Sequence, residues 1–149
     1  MKRETGFWDA SALVPLCVHE GASRFARQEL RRYEPVVWWG TGVEMYSAIC
    51  RLQRAKEITQ KEWQGASLRL HALRAGWREI LPADDVRDLA EQLLTKYELR
   101  AADSLQLAAA LNWCGQRPAR RVFLCGDERL CRAAATAGFA VIEFPGTAR

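Results

Sequence analysis

The chain has 149 residues, 49% of them hydrophobic, with a net charge of +4, which fits one compact domain over residues 1–149 and argues against a disordered tail. No apolar run approaches the roughly 20 residues that span a bilayer, and Glu4 and Asp9 interrupt any signal-peptide core, so a soluble cytoplasmic protein is expected. The five cysteines are odd in number and form no CxxC pair, with only His19 and His71 to join them, which predicts reduced, buried thiols rather than a zinc site or disulfide framework.

In chain order, a first strand is predicted over Thr5 to Asp9, then a short helix from Ser11 to near Cys17 and a second from Ala22 to Tyr33, ended by Pro35. Val36, Val37, Trp38 and Trp39 form an uninterrupted apolar run, as in a parallel strand covered on both faces. Gly40 and Gly42 turn the chain into a helix from about Val43, with Val43, Ser47 and Arg51 on one stripe and Glu44, Ala48 and Leu52 on the next. Thr59 can cap a long helix reaching Ile80, with Glu62 at the capping-box position and Trp63, Ala66, Leu70, Leu73 and Trp77 on its apolar face.

Another helix is predicted from Asp84 or Asp85 to Tyr97, then a buried, alanine-rich one from Asp103 to about Cys114. Val122 to Cys125 reads as a short buried strand, followed by the Gly126 turn and a helix from Asp127 to about Thr136 that Gly138 ends. Ala140 to Glu143 is the final strand. Strands alternating with helices predict an α/β fold with a mostly parallel sheet, whose ligands bind beyond the carboxyl ends of the strands.

Asp9, Glu44, Asp103 and Asp127 each stand at the edge of an apolar segment, where a carboxylate is costly unless paired, hydrogen-bonded or bound to a metal. Helix capping is an alternative for Asp9, Asp103 and Asp127, and Asp103 with Gln106 reads as a variant capping box. Glu44 in a first turn would ordinarily face solvent, yet it lies between Val43 and Met45. Capping does not require Asp where Ser, Thr or Asn would serve, and clustered carboxylates repel unless a cation or a proton intervenes. Mg²⁺ or Mn²⁺ suits such an all-oxygen setting.

Other chemistries lack their residues. His19 lies in a polar turn and His71 in a helix, so neither has the setting of a catalytic base. There is no P-loop, no GxGxxG and no nucleophile-elbow serine. A phosphatase of the haloacid-dehalogenase type needs an Asp where Ser11 stands, and a receiver domain needs paired early acids and a late lysine. Basic groups occur at Arg24, Arg27, Arg31 and Arg32, at Arg51, Arg54 and Lys56, and at Arg117, Arg120 and Arg121. They read either as solvated helix faces or as a surface for a phosphodiester substrate.

Four segments in register, WDASALVPL, VVWWGTGVEMYSAICRL, LRAADSLQLAAAL and VFLCGDERLCRAAATAGFAVI, resemble those of PIN-domain ribonucleases, and within them the VapC-type toxins of toxin–antitoxin pairs. The resemblance runs from Phe7 to Ile142. It implies a three-layer α/β/α sandwich, Mg²⁺- or Mn²⁺-dependent endoribonuclease activity, a homodimer, and a cognate antitoxin that covers the active site. By position it implies Asp9, Glu44, Asp103 and Asp127 as metal-binding catalytic acids, with Ser11 holding a carboxylate or a metal-bound water. A non-catalytic RNA- or protein-binding module of the same fold, or a stand-alone PIN nuclease of RNA processing, remain as alternatives.

Overall fold

The computed structural model describes residues 2–146. β1 (Glu4–Trp8) leads directly into α1 (Ala10–Cys17), with Asp9 between them accepting from the Ser11 backbone N–H as the N-cap. α2 (Ser23–Arg32) brings the chain back to β2 (Tyr33–Trp38), and α3 (Thr41–Arg54) leaves it. α4 (Gln60–Gly76) opens on the expected capping box: Thr59 Oγ1 accepts from the Glu62 N–H and Glu62 Oε1 accepts from the Thr59 N–H. β3 (Arg78–Ile80), α5 (Asp84–Lys96), α6 (Ala101–Trp113), β4 (Val122–Cys125), α7 (Glu128–Ala137) and β5 (Ala140–Glu143) follow.

The strands form one sheet in the order β3-β2-β1-β4-β5, and every neighbouring pair is parallel. Alternation along each strand divides the core between the two faces. Phe7, Val36, Trp38, Phe123 and Cys125 pack with apolar residues of α5, α6 and α7. Trp8, Val37, Val122 and Leu124 pack on the opposite side with those of α1 to α4. The result is the three-layer α/β/α sandwich expected from the sequence. Strand order reverses at β1, which opens a crevice between the carboxyl ends of β1 and β4.

Several boundaries differ from the sequence reading for local reasons. Tyr33, expected to end a helix, begins β2, because its ring is buried under the α1–α4 face. Pro35 lies inside that strand rather than before it. β3 pairs with β2 only from Val36 to Trp38, so the missing N–H falls where β2 has a neighbour on one side alone. Trp39, expected within the strand, lies beyond it and is 54% exposed.

The long helix stops at Gly76, not Ile80, and Arg78–Ile80 adds an edge strand to the sheet. Its predicted apolar stripe does pack into one core, including Trp77 just past the helix end, whose Nε1 donates to Glu79 Oε2 at 3.0 Å. No helix among the described residues is long and apolar enough to cross a membrane.

Gly138 closes α7 in the left-handed region at φ 118°, and a Cβ there would stand 2.9 Å from Pro118 Cγ. Gly138→Ala is therefore expected to cost about 1–3 kcal/mol. Urea unfolding checks this: the midpoint should fall while the slope of the transition stays unchanged.

Candidate functional site

Asp9, Ser11, Glu44, Asp103 and Asp127 all line one cavity of about 860 Å³ outside the carboxyl edge of the sheet. The four acids come from four places in the chain, the end of β1, the first turn of α3, the first turn of α6 and the turn after β4, and Ser11 comes from the first turn of α1. Both predicted α3 stripes also face this space, through Val43, Ser47 and Arg51 and through Glu44 and Ala48.

Asp9 is the most enclosed acid, 4% exposed. Burial raises its pKa and the Asp127 carboxylate raises it further, against hydrogen bonds from the Ser11 hydroxyl and backbone. Ser11 Oγ donates to Asp9 Oδ2 and accepts from the Gly126 N–H at 2.8 Å. One hydroxyl thus ties the end of β1 to the turn after β4 and fixes Asp9 beside Asp127. Asp127 caps α7, its Oδ1 accepting from the Leu130 N–H at 2.9 Å. The Cys125 thiol donates to Asp9 Oδ2 at 3.7 Å, and its hydrogen bond with Cys131 and its burial keep it protonated. None of the five cysteines forms a disulfide, and all but Cys50 are buried.

Glu44 is half-buried, and desolvation, then Asp9 and Asp103, push its pKa up to about 7. Gln106 opposes that shift. Its Nε2 donates to Glu44 Oε2 at 2.6 Å and to Thr41 Oγ1 at 3.0 Å. Its Oε1 is buried with no hydrogen-bond partner among the described residues, a costly arrangement that leaves the amide N–H groups aimed at Glu44 and Thr41.

Asp103 is not a cap. The N-cap of α6 is Arg100, and Asp103 sits inside the first turn. The variant capping box with Gln106 is therefore absent, since Gln106 points to Glu44 instead. Burial, then Asp127 and Asp9, raise the Asp103 pKa to about 6, with Arg100 working the other way. So two of the acids have their capping explanation in place, Asp9 and Asp127, while Glu44 and Asp103 do not.

Among the described residues, no group of three His, Cys, Asp or Glu side chains is gathered tightly enough to enclose an ion. The carboxylates ring an open cavity. A small hard cation fits that setting, because Mg²⁺ takes only one or two carboxylates and fills its remaining positions with water and phosphate. The donors are oxygens throughout, and for Asp9, Glu44 and Asp103 burial first and neighbouring carboxylates second make charge costly, a cost that a cation would relieve.

Arg51, Arg100 and Arg129 stand on the cavity wall. Of the basic groups picked out along the sequence, only Arg51 is there. Arg117, Arg120 and Arg121 precede β4, at the opposite edge of the sheet, where Arg121 lies over the Trp113 ring. Gln106, Thr41, Arg100 and Arg129 were not legible as site residues. The one available signal was a polar Gln106 within the apolar LQLAAAL segment.

No protein-family model matches the sequence, and no curated protein matches it. Solved structures do match the fold. PAE2754 from Pyrobaculum aerophilum superposes with a TM-score of 0.65 at 18% identity, over 94% of this chain and 89% of that one. VapBC2 from Rickettsia felis, solved bound to a DNA fragment from its promoter, gives 0.65 at 11% identity, over 95% and 99%. A toxin–antitoxin complex from Klebsiella pneumoniae gives 0.59 at 17% identity, over 83% and 87%. The likeness establishes the fold expected from the motifs.

The electrostatics carry a signed consequence. Glu44 titrates at about 7 in the folded chain against 4.5 unfolded, and Asp103 at about 6 against 3.8. Within that window the folded chain keeps protons that the unfolded chain has lost, so stability falls as the pH rises through it. Without added divalent metal, Asp103→Asn should therefore stabilise the chain at about pH 7.5 by about 1 kcal/mol, after allowance for solvent screening. It should also flatten the pH dependence. Thermal unfolding across the pH range measures both, and a destabilised Asp103→Asn at neutral pH would contradict the picture.

Proposed function

We propose that the chain is a Mg²⁺- or Mn²⁺-dependent endoribonuclease, the toxin of a toxin–antitoxin pair, held inactive by a cognate antitoxin. The observation that carries this reading is the gathering of four carboxylates from separate elements around one cavity at the carboxyl edge of the sheet. Three arginines lining the same cavity suit a polyanionic substrate. The toxin role is supported by fold likeness to a chain of a toxin–antitoxin complex, and the motif resemblance adds a homodimer. An RNA substrate would place the action in the cytoplasm.

In this reading Asp9, Glu44 and Asp103 would hold the cation, in part through its bound water, and Asp127 would help bind the same ion through water or hold a second one. When bound, the cation neutralises charge on the scissile phosphate and lowers the pKa of an attacking water. Ser11 keeps Asp9 in place and shares in its negative charge. Gln106 and Thr41 do the equivalent for Glu44, with Gln106 stabilising its ionised form. Arg51, Arg100 and Arg129 draw in the RNA backbone and orient the phosphate against the acids.

The non-catalytic alternative draws on the caps made by Asp9 and Asp127. For Glu44 and Asp103 it offers only the helix dipole, which favours a first-turn acid but does not require it to face the cavity. Asp9→Asn separates the two, because Asn caps nearly as well as Asp yet removes the charge. Purified protein incubated with total RNA and Mn²⁺, followed by end mapping, should give discrete cleavage products. Asp9→Asn and Asp103→Asn should each lower the rate by about a hundredfold or more while circular dichroism shows an intact fold. Full activity in either variant would sink the assignment.

A further inference from the structure

The acidic cavity has two unlike neighbours. On one flank, a depression of about 330 Å³ shares Arg129 with it and is lined by Tyr97, Arg132 and Thr136, with Glu98 its only acid. On the other flank, a depression of about 370 Å³ shares Ser11 and Arg51 but is lined by Val14, Leu52, Glu20 and Glu57. A polyanion leaving the cavity meets two arginines and one acid on the first path, and one arginine, two acids and apolar side chains on the second.

Arg129 and Arg132 lie three residues apart on α7 and so share a face. Both are exposed, and Arg100, at the cap of α6, lines the acidic cavity together with Arg129. Among the described residues, none of these three arginines is held in a salt bridge. Tyr97 packs against the core at the end of α5 and is half-buried, so it supplies an anchored aromatic wall. Single-stranded nucleic acids are held by this combination, phosphates on cations and bases on aromatic rings.

We propose that the depression lined by Tyr97, Arg129 and Arg132 is a nucleotide subsite for single-stranded RNA. It takes the nucleotide adjoining the one held in the acidic cavity, with Arg129 shared between the two. The assignment rests on the nuclease reading above and adds the direction in which the strand runs across the surface.

Binding measures it directly. A short fluorescent single-stranded RNA is titrated with the full chain by anisotropy, in EDTA so that no cleavage intervenes. Arg132→Ala should weaken binding about five- to tenfold and make the salt dependence shallower by about 0.7 in log–log slope, the loss of one phosphate contact. Tyr97→Leu, which keeps an apolar side chain against the core, should weaken binding without changing the slope. Arg24→Ala, an equal loss of charge on exposed α2, should leave binding unchanged.

Equal weakening by Arg132→Ala and Arg24→Ala would show a net-charge effect and overturn the subsite, as would no effect of Arg132→Ala. The nuclease reading is judged separately by cleavage with Mn²⁺. A wild-type chain that cleaves RNA while Arg132→Ala behaves like Arg24→Ala overturns the subsite alone. One that shows the Arg132 effect but cleaves nothing supports the subsite and overturns the nuclease. A wild-type chain that binds no RNA overturns both.

Discussion

Much of the site follows from one electrostatic constraint: carboxylates brought to the mouth of one parallel sheet raise the cost of one another's charge. Asp9 is the most enclosed of them, so burial is the larger part of its cost and Asp127 adds to it. The surrounding residues answer that cost locally. Ser11 spends its only hydroxyl proton on Asp9 and takes the Gly126 N–H in return, so the clamp that steadies the carboxylate also sets the turn that presents Asp127. Gln106 leaves its own carbonyl unsatisfied in order to hold Glu44. Such arrangements are unfavourable for a fold alone and make sense where charge must be kept at one place.

The parallel sheet is what makes the constraint possible. Its strand order reverses at β1, so the ends of β1 and β4 diverge into helices and leave a crevice between them. Asp9 and Asp127 occupy the two lips of that crevice, each closing a strand and opening a helix. α3 and α6 then bring Glu44 and Asp103 in from their first turns, where the partial positive charge of a helix start favours an acid.

The acids could be read from the sequence because each broke a local rule, a charge beside an apolar run. β4, β5, the Thr59–Glu62 capping box and the Gly138 stop were legible for a similar reason, since each carries a short-range signal of composition or cap chemistry. β3 was not. Its Arg-Glu-Ile has no apolar run, and it is a strand because β2 offers it an open edge. The capping alternative for Asp103 rested on Gln106 at the matching position, but Arg100 is the cap and the partner of Gln106 is Glu44, distant in sequence. The arginines on the cavity wall were hidden too: Arg100 and Arg129 belong to no basic group along the chain and meet only in the fold.

The central claim of the proposed function is that these four carboxylates form one site for a hard cation. Electron paramagnetic resonance of Mn²⁺ tests it without reference to any substrate, since the six-line signal of the free aqueous ion diminishes when the ion binds protein. Titrating the chain into Mn²⁺ near neutral pH should remove that signal in a saturable way, and Asp103→Asn should restore most of it. A signal that stays at the free-ion level with the folded wild-type chain, or one that Asp103→Asn does not change, would contradict the account.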